Sequence, residues 1–273
     1  MDAPYHVASV VACNPQLQLD NSETNHKEQS LNNFIKNNRR LLEVDLLKSR
    51  QRYLFSPVYY AQDKITVPLL NKFVFGKLID IGSGDTPYRE RLEGQVDCYD
   101  TLDLYPRTEN VKFVGSVENM DMILDNQYDS AICLEVLEHI PRPMEGVREI
   151  HRVLRPGGIL VLSVPHLSRI HDAPNDFFRF TKYGLQYLLE DAGFHITQIK
   201  VRGGLFTFLG HQWSTFILGL VWKVPILKQI VWFVNSWLVS RLFYYLDQVV
   251  DQTGTFPQGY TVVAEKPQFE HGK

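Results

Sequence analysis

Between Lys77 and Val201, short apolar runs alternate with segments of helical spacing, and this alternation constrains the fold more than any other feature of the chain. KLIDI at 77–81, DCYDTLDL at 97–104, VKFV at 111–114, YDSAICL at 128–134, ILVLSV at 159–164 and FHITQIKV at 194–201 read as strands, with YTVVAE at 260–265 as a seventh. A helical turn is expected at Arg89–Glu93, with helices at Met144–Val153 and Tyr183–Ala192. Arg155-Pro156-Gly157-Gly158 ends the helix before it and opens a tight turn. Strands that are apolar along their whole length are buried on both faces, and helices between them supply parallel crossovers. The expected class is therefore α/β: a Rossmann-like, seven-stranded, mostly parallel sheet with helices on both sides.

The other segments divide around that core. Residues 1–40 are rich in Asn, Gln, Glu and Lys over 12–40 and read as a mobile extension. Over 41–75, apolar residues at helical spacing predict two helices, interrupted at Pro57 and Pro68, that cover one end of the sheet. The core spans 76–201, a hydrophobic helical insert spans 202–259, and the last strand and tail span 260–273.

Composition excludes several classes. Lys plus Arg is 28 against 31 for Asp plus Glu, a net charge of −3, so no nucleic-acid partner is expected, since that needs a basic surface. Cys13, Cys98 and Cys133 are scattered, which argues against a disulfide framework or cysteine zinc site and fits a reducing, cytoplasmic setting. No secretory signal is read at the N-terminus and no uninterrupted apolar stretch reaches about 18 residues.

The first strand runs into Asp80-Ile81-Gly82-Ser83-Gly84-Asp85-Thr86-Pro87. Glycines there let backbone approach a ligand closely. Asp103 ends the second strand, 21 residues after Gly82, where a carboxylate can accept hydrogen bonds from both hydroxyls of a ribose. Pro87 stands where a dinucleotide fingerprint needs its third glycine. Asp80 can hold a cationic amino group, directly or through water. These features suit S-adenosylmethionine better than a nicotinamide cofactor.

With LIDIGSG, TLDLY, GSVENM, YDSAICLEVLEHI, a helix ending LRPGG and then ILVLSVPH in that order, the stretch from Phe75 to Phe194 resembles the class I S-adenosylmethionine-dependent methyltransferases, in particular the type 11 methyltransferase domain family. The resemblance implies that Asp80, Gly82, Ser83 and Gly84 line the methionine end of the cofactor. It places Asp103 and Leu104 at ribose and adenine, Ser116 and Val117 along the adenine ring, and Leu134 and Glu135 near the transferred methyl. Ser116 stands where the family often has an aspartate. The segment HDAPNDFFRFTKYGLQYLLEDAGF resembles a pattern in methyltransferases associated with cell-surface glycan and lipid gene sets, which implies a small-molecule, glycan or lipid-linked acceptor.

Methyl transfer asks little covalent chemistry of the protein: alignment, exclusion of water, and a base when the acceptor must lose a proton. His139, His166 and the neighbouring His171 and Asp172 follow strand ends, where open α/β sheets bind ligands. His139 and His166 are the candidate bases, and O-methylation is the favoured chemistry. Arg179 either binds an anionic group of the acceptor or pins its loop by pairing with Asp176. No metal constellation is visible in the spacing. The alternative function is a non-catalytic scaffold built on the same fold.

The insert carries all four tryptophans, Trp213, Trp222, Trp232 and Trp237. From Lys200 to Val250 there are five cations and a single acid, Asp247. Pro225 divides two helical stretches, about 205–224 and 226–250. In the second, Lys228, Gln229, Asn235, Ser236, Ser240 and Asp247 share one side at about 100° per residue, leaving a broad apolar face. Three readings stand: peripheral contact with the inner face of a membrane through 205–250, a homodimer interface, or a lid over a greasy acceptor.

Overall fold

The computed structural model describes residues 33–38, 40–42, 44–46, 49, 51–251 and 254–268. The extension expected over 1–40 lies mostly outside the described residues; within it, 33–38 is helical.

All seven strands form. They are β1 (Lys77–Ile81), β2 (Cys98–Asp103), β3 (Phe113–Val114), β4 (Tyr128–Leu134), β5 (Leu154–Pro165), β6 (His195–Arg202) and β7 (Gly259–Glu265). They make one sheet in the order β3-β2-β1-β4-β5-β7-β6. β1 pairs in parallel with β2 and β4, while β7 runs antiparallel between β5 and β6. The topology switches between β1 and β4, so the carboxyl ends of β1, β2 and β4 open on one crevice.

Side chains alternate across the sheet between two cores. Ile79, Ile81, Ala131, Cys133, Leu160 and Leu162 pack beneath helices Pro143–Val153 and Lys182–Asp191. Leu78, Ile132, Val161 and Val263 face Leu69, Leu70 and Val74, from helix Pro57–Phe73 and the residue after it. Burial of both faces is why these strands are apolar throughout. Cys98 and Cys133 are free thiols.

The prolines of the N-terminal region act differently from expectation. Pro57 sits in the first turn of helix Pro57–Phe73, where its missing N–H costs nothing, and Pro68 lies inside that helix without ending it. Val67, Leu69 and Leu70 around Pro68 are buried, and this packing outweighs the one lost backbone hydrogen bond.

The insert forms helices Leu205–Val221, Pro225–Val234 and Ser240–Val250, the last two joined by a π-helical turn, Asn235–Val239. Pro225 starts the second helix. Trp222 packs with Leu42, Phe55 and Leu218, and Tyr244 with Tyr60 and Ala61. Gly210 lets two elements close on the first helix: a Cβ there would lie 2.6 Å from Phe243 and 2.9 Å from Pro57.

Candidate functional site

The turn after β1 is built for close approach. Gly82 has φ +67°, and a Cβ on it would meet Val136 at 2.4 Å, so only glycine fits. The N–H groups of Gly82 and Ser83 both donate to the carbonyl of Leu102, at 2.8 and 3.2 Å. Gly84, at φ +51°, has nothing within 4 Å of where its Cβ would stand and faces open space. Ser83 Oγ is buried without a hydrogen-bond partner.

Asp103 spans this turn and its own loop. Its Oδ2 accepts from Gly84 N–H at 2.8 Å and its Oδ1 from Tyr105 N–H at 2.8 Å. Each oxygen keeps a lone pair for a further donor. Leu104 beside it is half exposed. The Asp103 carbonyl accepts from Gly115 N–H at 3.1 Å, which draws Ser116 and Val117 alongside. Ser116 Oγ bonds back to Glu118, accepting from its N–H and donating to its carboxylate, both at 3.2 Å, and Val117 is buried.

Asp80 lies beneath the turn, 5% exposed, and accepts from the Tyr99 hydroxyl at 2.5 Å. Burial pushes its carboxyl up to about 7, against the opposing pull of the Tyr99 hydrogen bond. The Arg89 guanidinium stacks 4.5 Å from the Tyr99 ring and steadies this pair.

The end of β4 forms the other wall. Glu135, at φ +57°, accepts from Ser163 Oγ at 2.8 Å and pairs with Arg202 at 2.7 Å. Arg202 is fully buried. A short helical turn, Leu137–His139, follows. Here Glu138 is fully buried and neither of its carboxylate oxygens has a hydrogen-bond partner. Burial, reinforced by the charge of Glu135, holds its carboxyl well above the usual range.

His139 and His171 both come to Glu138, their rings edge to face at 4.8 Å between centroids. The loop carrying His171 is tied down by Phe177 N–H, which donates to the Glu138 carbonyl at 2.8 Å. His166 stands elsewhere: its Nδ1 bonds the Phe180 carbonyl at 2.9 Å and its ring lies 6.0 Å from that of Tyr260.

Arg179 is paired with Asp176 through both terminal nitrogens, at 2.6 and 2.7 Å, and also donates to the carbonyls of Phe178 and Arg169. Of the two expected roles the structure contains the loop pin, and the Arg179 pair holds the Asp176 carboxyl far below the usual range. The spacing gave no sign of a metal constellation, yet Glu138, His139 and His171 bring a ligand atom each within 4.8 Å of one another. Glu138 carried no expectation of its own. The signal was the Glu-His pair directly after a strand end.

Residues 79–162 match the family described as Methyltransferase domain. This core is a methyltransferase domain. The ubiquinone biosynthesis O-methyltransferase of Pseudomonas paraeruginosa is 35% identical to the chain over 75 residues, which cover 28% of this chain and 30% of that protein. The protein of the same name from Dechloromonas aromatica is 31% identical over 75 residues, with the same shares covered. The chain thus spans under a third of the length of these relatives. Among solved structures, a SAM dependent methyltransferase from Archaeoglobus fulgidus superposes with a TM-score of 0.52 at 16% identity, covering 83% of this chain and 98% of that one. The [4+2]-cyclase SpnF superposes with a TM-score of 0.52 at 18% identity, covering 75% of this chain and 80% of that one. At these identities the likeness is one of fold. The methyltransferase domain holds the glycine turn, Asp103 and the Glu138 cluster at the same end of its sheet.

Proposed function

We propose that this protein transfers a methyl group from S-adenosylmethionine to an oxygen of a small-molecule, glycan or lipid-linked acceptor. The observation that carries this is the pairing of Gly84 with Asp103 above a buried Asp80: an open glycine turn beside a carboxylate with free lone pairs, and a second carboxylate below. The orphaned Ser83 hydroxyl fits the same reading, since it lies on that turn with its hydrogen bond unmade. Asp80, Gly82, Ser83 and Gly84 would hold the methionine end, Asp103 the ribose, Leu104, Ser116 and Val117 the adenine, and Leu134 and Glu135 the side facing the acceptor. When bound, S-adenosylmethionine supplies an electrophilic methyl on a sulfonium. The chain's own part is to orient the acceptor and to take its proton. Oxygen is favoured because His139 and His171 offer basic nitrogens past β4, and because the relatives are named O-methyltransferases.

Calorimetric titration with S-adenosylmethionine and S-adenosylhomocysteine tests this reading. Micromolar binding of both is expected. Binding of neither leaves the alternative, a scaffold on a methyltransferase fold.

Membrane contact through the insert has its own support. Over 235–247 the polar side points inward: Asn235, Ser236, Ser240 and Asp247 are buried, while Lys228 and Gln229 of the same side stay nearer the surface and Ile226, Ile230, Phe233, Trp237 and Val249 are exposed. Trp213 and Phe216 extend this apolar surface from the preceding helix, beside an open groove shared with Arg169. Small and hydroxyl-bearing residues inside with large apolar ones outside is the pattern of helices that meet lipid. No helix among the described residues is long and apolar enough to cross a membrane. Co-sedimentation with anionic vesicles is expected for the natural chain and reduced by Phe233→Ser with Trp237→Ser. A stable dimer in solution that ignores vesicles would instead assign this face to self-association.

A further inference from the structure

We propose that Glu138, His139 and His171 form a three-ligand site for a divalent metal ion of the zinc type, with an open position toward the acceptor. The proposal rests on the arrangement of protons and lone pairs. His139 Nδ1 lies 2.6 Å from the carbonyl oxygen of Asn175. A carbonyl only accepts, so the ring proton sits on Nδ1 and Nε2 is left as a bare lone pair. His171 Nδ1 lies 3.3 Å from the Arg169 carbonyl and 3.5 Å from Asp176 Oδ2, two acceptors, and 3.5 Å from Arg179 Nη2, a donor; the two acceptors favour the ring proton on Nδ1. Both Nε2 atoms therefore turn lone pairs toward Glu138 Oε1, at 3.7 and 4.0 Å.

Those separations are too long for hydrogen bonds. They lie near shared coordination: bonds of about 2.0–2.2 Å from zinc to imidazole nitrogen or carboxylate oxygen set two tetrahedral ligands about 3.5 Å apart, and the three atoms, now within 4.8 Å of one another, would draw in around the ion. Two imidazole nitrogens converge on a carboxyl that makes no hydrogen bond to either ring, and a cation among the three would engage all of them. Glu138 sharpens the point, since it is fully buried and neither oxygen has a hydrogen-bond partner.

The surroundings match what a bound metal needs. Asp176 behind His171 and the Asn175 carbonyl behind His139 face the far nitrogen of each ring and fix its orientation. Asp176 is itself locked by Arg179. Two histidines and a glutamate with a position left open is the ligand set of catalytic rather than structural zinc sites. The cluster follows β4, next to Leu134 and Glu135. On the proposed transfer to oxygen, on which this role rests, a metal there would bind the acceptor hydroxyl and lower its pKa; with both Nε2 lone pairs on the metal the hydroxyl proton would pass to water, and the oxygen would attack the methyl as its anion.

The test is titration of chelator-treated full-length protein with Co²⁺, followed by visible absorption, with Zn²⁺ as competitor. A saturable four- or five-coordinate spectrum that Zn²⁺ abolishes is expected in the natural protein. His171→Ala and His139→Ala should each weaken Co²⁺ binding at least about 10- to 100-fold, the cost of losing even a residue that only orients a ligand. Their melting temperatures, read without metal, establish that both variants fold. A natural protein with no stoichiometric Co²⁺ spectrum overturns the site, as does a folded His171→Ala that binds Co²⁺ undiminished. Binding of S-adenosylhomocysteine, measured on the same samples, separates the two readings: cofactor bound without metal sinks this proposal alone, and metal bound without cofactor sinks the methyltransferase reading alone.

Discussion

Gly84 N–H donates to Asp103 Oδ2 at 2.8 Å, so the loop after β1 and the end of β2 are fastened to each other before any ligand arrives. Proximity prepared in this way lowers the ordering cost of binding. Asp103→Ala is expected to remove both this clasp and the proposed ribose contacts. Hydrogen bonds to a charged acceptor contribute about 1.5–3 kcal/mol each, less here because Asp103 is only half-buried. Cofactor affinity should fall about 10- to 100-fold, read by calorimetry. An unchanged affinity would remove Asp103 from the site.

Asp80 should make binding and stability depend on pH in opposite directions. Its carboxyl stands at about 7 in the folded chain because it is buried, against about 4 when unfolded. The folded state therefore holds the proton more tightly, and the stability this contributes, full at acid pH, is lost as pH rises from about 4 through about 7. Asp80→Asn should flatten the fall in melting temperature over that window. A cationic amino group needs the ionised form, so affinity for S-adenosylhomocysteine should rise up to tenfold per pH unit below about 7 and level off above it. Affinity independent of pH between 5.5 and 8 would rule out a contact between Asp80 and the amino group.

Strands β1, β4, β5 and β7 were legible because they are mainly buried on both faces, which leaves little polar alternation to confuse the reading, whereas the edge strands β3 and β6 are largely exposed and were read from short apolar runs. The glycine turn was legible because its residue types follow from backbone geometry. Two things were not. Periodicity puts Asn235, Ser236, Ser240 and Asp247 on one side but is silent on whether that side meets water; here it meets helix Pro57–Phe73 and its neighbours, and all four are buried. Glu138 reads as an ordinary acid in a turn, and His171 lies 32 residues past His139. Only the loop held by Asp176, Arg179 and the Glu138 carbonyl closes that gap.

Arg202 depends on Glu135. Arg202 is fully buried, its Nε and Nη1 have no hydrogen-bond partner, and its ion pair with Glu135 is 2.7 Å long. Glu135→Gln leaves this charge uncompensated, which costs about 3–5 kcal/mol for a buried pair, toward the lower end because the Glu135 side chain is 30% exposed. At about 2–4 °C per kcal/mol for a chain of this size, the melting temperature should fall by roughly 6–12 °C. Adding Arg202→Met should recover most of the loss. A single variant as stable as the natural protein would mean that water reaches Arg202.

Asp247 fastens the insert to the core. It is buried and accepts three backbone N–H groups at the start of helix Leu205–Val221, from Gly204 and Thr207 on Oδ2 at 2.8 and 2.7 Å and from Phe206 on Oδ1 at 2.8 Å. This explains the lone acid in an otherwise cationic segment: a negative charge at a helix N-terminus meets unpaired donors and the positive end of the dipole. Asp247→Ala leaves three N–H groups without that acceptor and should cost about 3 kcal/mol, from a cap worth up to about 2 kcal/mol plus the charge-assisted bonds. The damage should be local. Elements of lower stability open before the sheet does, so amides of 205–221 should exchange faster while those of β4 and β5 keep their protection. Vesicle binding should fall with the insert, and binding of S-adenosylhomocysteine should persist, because its proposed contacts lie on the far side of β5 from the helix cap. Uniform loss of protection across sheet and insert would mean that the two unfold as one unit.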